Sequence, residues 1–193
     1  MATRKIKELA AEVATILGER LVLECHPDES PFPDIEERVR ILAPGILADL
    51  IREADVMELS EFKGIEGNPS IDKSGVVTLE LPDDFLRLVS IRMSDWEWPV
   101  MTVTSPDSPI YEMQRSSWCG IRGNPQRPVA ILCYEGEKRY LKLYSSNEGS
   151  SVELALYMPR PEVSADDSIA IPNILAGPLI RKIAEAVSKC PIP

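Results

Sequence analysis

Several things are scarce in this chain of 193 residues. His26 is the one histidine, and the four cysteines, Cys25, Cys119, Cys133 and Cys190, lie far apart with no C-x-x-C pair. A zinc site needs closely placed N and S donors, so this spacing argues against one, and reduced, partly buried thiols are the simpler expectation. Cys25-His26 does not read as a nucleophile and base, because adjacent side chains rarely aim at each other and no third group orients the histidine. There are 10 glycines against 17 prolines, so the loops should be many and stiff. No Gly-rich phosphate loop occurs: Gly120-Ile121-Arg122-Gly123-Asn124 lacks the Lys-Ser/Thr and the strand–helix setting, and reads as a surface loop. No apolar run approaches the roughly 18 residues of a membrane span. Positive charge is in deficit, with 21 Lys and Arg against 31 Asp and Glu and a net charge of −10. That disfavours a generic basic nucleic-acid reader, since phosphate contacts need a cationic face.

What is present is a globular balance, 44% hydrophobic and 27% charged. It suits one compact domain, or a domain carrying a sizeable insertion, with a core that needs no disulfide or metal staple. Behind the basic residues at the start there is no apolar stretch of the secretory kind, so the expected compartment is a cytoplasm, or a particle assembled in one.

The hydrophobic period changes twice along the chain. From residue 3 to 62 it is helical. Ile6, Leu9, Ala10, Val13, Ile16 and Leu17 recur at i, i+3, i+4, i+7 spacing, with Gly18 near the end of that helix. A proline-rich loop follows His26, and Asp34 with Glu37 reads as a helix cap and capping box. Ile35, Val39, Leu42, Ile46, Leu50 and Ala54 then form a second stripe. Pro44-Gly45 inside it predicts a kink or two helices in succession. From 71 to 158 the period is that of strands: 76–81, 89–94, 129–134, 140–144 and 152–158, with a hairpin turn at Glu135-Gly136-Glu137. Short links between them predict an antiparallel sheet. Ile174, Leu175, Leu179, Ile180, Ile183 and Val187 make a last helical stripe. The predicted fold is therefore α+β. N- and C-terminal helices, residues 1–62 plus 170–193, pack as a small bundle, and an antiparallel β-sheet or sandwich, residues 71–160, is inserted between them.

Catalytic, cofactor and metal ligands are expected to be absent. Asp83-Asp84 and Asp166-Asp167 lack the staggered ligand spacing of a calcium loop, and the first pair reads as turn and cap. Trp96 and Trp98 are two apart and would share one face of a strand, either as core or as a protein interface. Tyr111 and Trp118, in a polar stretch between strands, fit a contact loop. The candidate interface is thus Trp96, Trp98, Tyr111 and Trp118.

Three stretches carry a resemblance. They are Ile41-Leu42-Ala43-Pro44-Gly45-Ile46-Leu47-Ala48-Asp49-Leu50, then Leu81-Pro82-Asp83-Asp84-Phe85-Leu86-Arg87-Leu88-Val89-Ser90-Ile91, then Ser105-Pro106-Asp107-Ser108-Pro109-Ile110-Tyr111 with Gln114. Trp96 to Val100 lies between the last two. Pro128-Val129 and a closing helix after Ile171-Pro172 complete the order. It resembles the ring-forming head–tail adaptors of short-tailed phages, of the tail tubular protein A type, and is similar to the neck ring proteins of crAss-like phages. The resemblance implies a non-enzymatic virion protein of the neck or tail, with copies of itself in a closed ring, twelve-fold in that family. It implies portal and other tail or neck proteins as partners. The helical part would form the ring body, and the β part would meet neighbouring components. DNA would pass the channel without specific binding, and no membrane or cofactor is implied. An acidic wall suits such a channel because it does not grip phosphates, and plain solubility explains the acidity equally well.

Two other readings make different demands. A β-sandwich binding module for carbohydrate needs Trp96, Trp98 and Trp118 on one exposed concave face. An enzyme needs a deep pocket with at least two perturbed ionisable groups. The ring reading expects the 96–111 stretch and the loops at 64–75 and 162–167 to contact protein partners.

Overall fold

A computed structural model describes residues 2–21, 35–67, 69–116, 118, 121–144 and 146–189. Cys25-His26, the proline loop, the Asp34 cap, Cys119 and Cys190 lie outside them. In chain order the described residues form β1 (Ala2–Lys5), α1 (Ile6–Leu21), α2 (Ile35–Glu53), a 3-10 turn (Val56–Glu58), β2 (Lys63–Gly64), β3 (Ser70–Ile71), β4 (Val77–Glu80) and β5 (Phe85–Met93). Then come β6 (Val103–Thr104), α3 (Pro109–Gln114), β7 (Val129–Glu135), β8 (Lys138–Tyr144), β9 (Val152–Pro159), β10 (Ser168–Ile171), a second 3-10 turn (Asn173–Leu175) and α4 (Ala176–Lys189). The fold is α+β, with helices towards both ends and sheets between them. Two compact units divide it: residues 1–61 with 160–193, and residues 62–159.

In the helical unit, α1, α2 and α4 pack pairwise. Ile6, Leu9, Val13 and Leu17 of α1 are buried, as are Val39, Ala43, Leu47 and Ile51 of α2 and Leu179, Ile183 and Val187 of α4. In α1 and α4 these are the stripes that the helical period marks, with Ile16 and Ile174 left exposed; in α2 the buried face is turned by about one residue from the expected one, so that Leu42 and Ile46 are only half-buried while Ala43 and Leu47 are in the core. Burying each Leu, Ile or Val contributes about 1.5–3 kcal/mol. Pro44 sits inside α2, which runs unbroken from Ile35 to Glu53, so the two-helix alternative does not hold. Pro44 has no N–H for the Arg40 carbonyl. The first helix does not begin near Thr3: residues 2–5 are a strand, antiparallel to β10, with Ala2 opposite Ile171 and Lys5 opposite Ser168. No local pattern announces a strand whose partner lies at the other end of the chain. The acidic 162–167 loop is tied into its own unit. The Asp166 carboxylate accepts from the Ser164 and Ser168 hydroxyls, and Asp167, at φ 62°, accepts both Nε and Nη2 of Arg40 at 3.0 and 2.9 Å.

The β unit is two sheets over one core. One sheet has the order β2-β9-β5 and the other β3-β4-β8-β7-β6. Val77, Leu79, Leu141 and Leu143 of the larger sheet meet Leu88, Ile91, Met93 and Tyr157 of the smaller in a single buried cluster. The β7–β8 hairpin turns through Gly136, at φ 64°, where the sequence predicts it. Two features differ from expectation. β6 pairs parallel with β7, so the larger sheet is mixed rather than purely antiparallel. The chain crosses from β8 to the other sheet at β9, so consecutive strands do not always pair. The β unit also starts earlier than residue 71, because β2 and β3 belong to it.

Candidate protein interface

The stretch from Ser94 to Pro128 joins the two sheets and is held by polar contacts at several points. At its start, the Asp95 carboxylate accepts the backbone N–H and side-chain N–H of Asn147 at 2.8 and 3.0 Å. Ser94 and Ser151 bond each other, backbone to backbone and backbone to hydroxyl. Ile91 and Val100 exchange both backbone hydrogen bonds, at 2.9 and 2.8 Å, which closes residues 92–99 into a loop. Glu97 N–H donates to Pro125 O at 3.0 Å, so the far part of the stretch is joined to this loop.

α3 begins at a sound start signal: Ser108 caps it, its hydroxyl accepting from Ile110 N–H, and Pro109 occupies the first helical position. α3 is fixed by Gln114, which is buried. Its Nε2 donates to Ile110 O at 2.9 Å, and its Oε1 accepts Gly123 N–H at 2.7 Å. Gly123 has no room for a side chain, because a Cβ there would stand 2.7 Å from Tyr144 O. The neighbouring Arg122 lies over the Tyr144 ring, 5.6 Å from its centroid, and donates to Ser74 O at 2.7 Å. Burial pushes the Tyr144 phenol up, with Tyr111 and Cys133 adding to it. Burial likewise raises the Cys133 thiol, so it is a poor nucleophile where it stands.

The four expected interface residues separate. Trp96 is 4% exposed and belongs to the core of the sandwich. This corrects its assignment to an interface. Trp98 is 66% exposed. The rule that residues two apart share a face holds on strands, and residues 94–99 are a turn and bend, so the two indoles part. Tyr111 is half-buried and covers Ile131, Cys133 and Tyr144 on the outer face of β7 and β8. That cover is why the 129–134 run is apolar without alternation: one face meets the opposite sheet and the other meets Tyr111. Trp118 is 75% exposed.

Sequence reasoning missed four neighbours in the same stretch. Met101, Ile110, Met113 and Ile121 are also exposed, so six large apolar side chains with Trp98 and Trp118 face solvent between residues 98 and 121. The available signal was that Met101 and Ile121 fall in no helical or strand period within a polar stretch, while Ile110 and Met113 are three apart on the short helix α3. In the helical unit, an open groove of about 480 Å³ runs between α2 and α4. Lys182 pairs across it with Glu53 at 3.1 Å, and Arg52 pairs along α2 with Asp49 at 2.7 Å, as on a solvated helix face.

Among the described residues no group of three His, Cys, Asp or Glu is placed to hold a metal ion, and no helix is long and apolar enough to cross a membrane. The chain matches no protein-family model and no curated protein sequence.

Proposed function

We propose that the chain is a non-enzymatic assembly subunit of a phage particle, one copy of a ring that joins portal to tail around the DNA channel. The carrying observation is that, among the described residues between Trp98 and Ile121, six large apolar side chains are exposed, with polar pins at Asp95, Gln114, Arg122 and Gly123 in and beside that stretch. A surface whose backbone is already ordered gives up little entropy when a partner covers it, which favours protein association. Exposed tryptophans are the residue type that dominates such contacts. The order of the motifs at 41–50, 81–91 and 105–114 supplies the kind of assembly, and the net charge of −10 suits a channel that lets DNA slide past. In this reading the helical unit is the ring body, and the β unit presents Trp98 and Trp118 to a portal or tail component. Catalysis has no part in it.

The test is electron microscopy of the purified protein, alone and mixed with portal rings from lysate-derived virions. Wild-type protein is expected to form closed rings or to add density at the neck. Trp98→Ala with Trp118→Ala is expected to lose that density while remaining a folded monomer. A wild-type monomer that never joins a portal or tail overturns the proposal. Binding of glycans by Trp98 and Trp118 would then favour the β-sandwich binding module.

A further inference from the structure

The exposed stretch of the β unit divides by charge at α3. Residues 94–112 hold four acids, Asp95, Glu97, Asp107 and Glu112, and no Lys or Arg. Residues 113–134 hold three arginines, Arg115, Arg122 and Arg127, and no Asp or Glu, the longest acid-free run in the chain. The exposed apolar side chains divide with them. Trp98, Met101 and Ile110 lie in the acidic half, and Met113, Trp118 and Ile121 in the basic half. Some of the charges are used within the unit: Asp95 holds Asn147, and Arg122 lies over the Tyr144 ring and donates to Ser74 O. Glu112 and Arg115 stand 3.5 Å apart on the surface of α3, a pairing worth little in water. Glu97, Asp107 and Arg127 are exposed and form no ion pair among the described residues. Two acids and two arginines thus remain to face a partner, Glu97 and Asp107 in one half, Arg115 and Arg127 in the other.

The two halves are tied to one frame. Glu97 N–H donates to Pro125 O at 3.0 Å, so the backbone at Trp98 stands beside the turn that carries Arg127. That turn is closed by Asn124 and Arg127, which exchange backbone hydrogen bonds at 3.3 and 2.9 Å. Gln114, between Met113 and Arg115, accepts Gly123 N–H, and the N–H groups of Ile121 and Arg122 both donate to Trp118 O. The backbones that carry the two exposed indoles therefore meet at residues 122–125. Six apolar side chains of this size expose on the order of 600 Å² per copy, not far below the roughly 800 Å² that each partner of a stable complex buries. That is at the upper end of what a soluble monomer leaves bare.

Such a surface is complementary to itself. In a two-fold contact, where residue i of one copy meets j of the other, j also meets i. Two copies laid face to face in this way bring the acidic half of each onto the basic half of the other, twice, with apolar side chains between. We propose that the free chain forms this dimer, a second copy covering Trp98 and Trp118, with Glu97 and Asp107 opposite the partner copy's Arg115 and Arg127. The dimer keeps the apolar surface out of water before assembly. A portal or tail component that takes the same surface then has to displace the second copy. The pairing precedes any ring and does not depend on one.

Sedimentation velocity of the full-length chain over a concentration series tests it. The wild type is expected to dimerise, with a dissociation constant that rises about tenfold between low and high salt. Arg115→Glu with Arg127→Glu makes both halves acidic, and Glu97→Lys with Asp107→Lys makes both basic. Each of these two variants should sediment alone as a folded monomer. Their equimolar mixture should sediment as a one-to-one dimer, because an acidic copy then meets a basic copy in both halves. Trp98→Ala with Trp118→Ala should abolish the wild-type dimer with no change of charge. A wild-type chain that stays monomeric throughout the series overturns the proposal. So does a dimer that survives either charge reversal or the tryptophan change, and so does a mixture that stays monomeric. If a charge-reversed variant fails to fold, the tryptophan variant decides, and a dimer retained there overturns the proposal equally. Binding to portal rings is read separately, so loss of the dimer with portal binding intact counts against the dimer alone.

Discussion

In the helical unit, burial recurs every three or four residues, and many side chains share the task of holding three helices together. Its ion pairs are at the surface: Arg4 with Glu12, Arg52 with Asp49, Lys182 with Glu53. Such exposed pairs are each worth about 0–1 kcal/mol. One loop of this unit, residues 162–167, is pinned by polar groups, through Asp166 and the Arg40–Asp167 pair, and the β unit relies on such pins more often. Beside its sandwich core it uses single polar groups to decide where a loop goes: Asp95 at the β8–β9 turn, Gln114 at Gly123, Arg122 at Ser74, Arg139 at the β4–β5 turn. A stripe tolerates exchange of one apolar residue for another of similar volume, whereas a pin has no substitute. Sensitivity to single changes should therefore concentrate in the β unit, and the positions that break it should not be the exposed ones.

The largest effect is expected at Trp96. Trp96→Ala empties a position that is 4% exposed in the sandwich core and should cost about 3–5 kcal/mol. Denaturant unfolding measures it. A loss below about 1 kcal/mol would mean that the loop at 94–99 repacks freely, and that the β unit is as tolerant as the helical one.

Next comes Gly123. Its substitution by Ala sets a Cβ against the Tyr144 carbonyl, a backbone atom that cannot step aside, so Gly123→Ala should cost about 1–3 kcal/mol. Gly45, inside α2, is the contrast. Nothing lies within 4 Å of its missing Cβ, and Gly45→Ala should stabilise by about 0.5–1 kcal/mol. The same substitution thus acts with opposite sign in the two units, and thermal melts of the two variants read the difference. Equal signs would erase the distinction between pin and stripe.

The Asp84–Tyr157 bond gives a pH signature. Burial, reinforced by the Asp84 carboxylate, pushes the Tyr157 phenol up to about 12. Because the raised value favours the neutral phenol, its stabilisation is complete below pH 10 and is lost as pH rises from 10 towards 12. The loss should amount to about 1–2 kcal/mol. Tyr157→Phe should be less stable than the wild type at neutral pH, and that gap should close through this window. A gap that stays constant from pH 9 to 12 would show that the hydroxyl does not ionise in linkage with folding. Asp84 acts in the opposite direction. Its carboxyl is depressed, so its contribution is present at neutral pH and is lost as acid protonates it.

The contrast between units also governs what the sequence revealed. The stripes of α1 and α4 were legible because helical period is local: Leu9 and Val13 announce their common face within one turn. In α2 apolar residues stand on both sides of the helix, and the face through Leu42 and Ile46 was chosen where Ala43 and Leu47 are the buried ones. The β7–β8 hairpin was legible because Gly136 turns the chain within two residues. β1 was not legible, since its partner is Ser168–Ile171. β6 was not, being two residues long and parallel to a strand 27 positions later. At the candidate interface, composition pointed to Trp98 and Trp118 and misplaced Trp96. The error arose from applying a strand's period to a turn. Gln114 and Gly123 were seen only as members of phrases, because a buried amide nine residues from its partner leaves no pattern to read.

The smallest effect on folding should come from the residues with the largest role in assembly. Trp98 and Trp118 are 66% and 75% exposed, and truncating each to alanine removes little that the monomer buries. Their folding free energies should stay within about 0.5 kcal/mol of wild type, an order of magnitude below Trp96→Ala. That pairing separates display from support. If Trp98→Ala unfolds the monomer, the indole is part of the core in solution and the pinned stretch presents less than six apolar side chains. If it leaves the monomer intact and abolishes incorporation into rings, then the polar pins at Asp95, Gln114 and Arg122 exist to hold a surface in place. In that case Gln114→Ala, which frees Gly123 N–H, should weaken assembly without touching any exposed tryptophan.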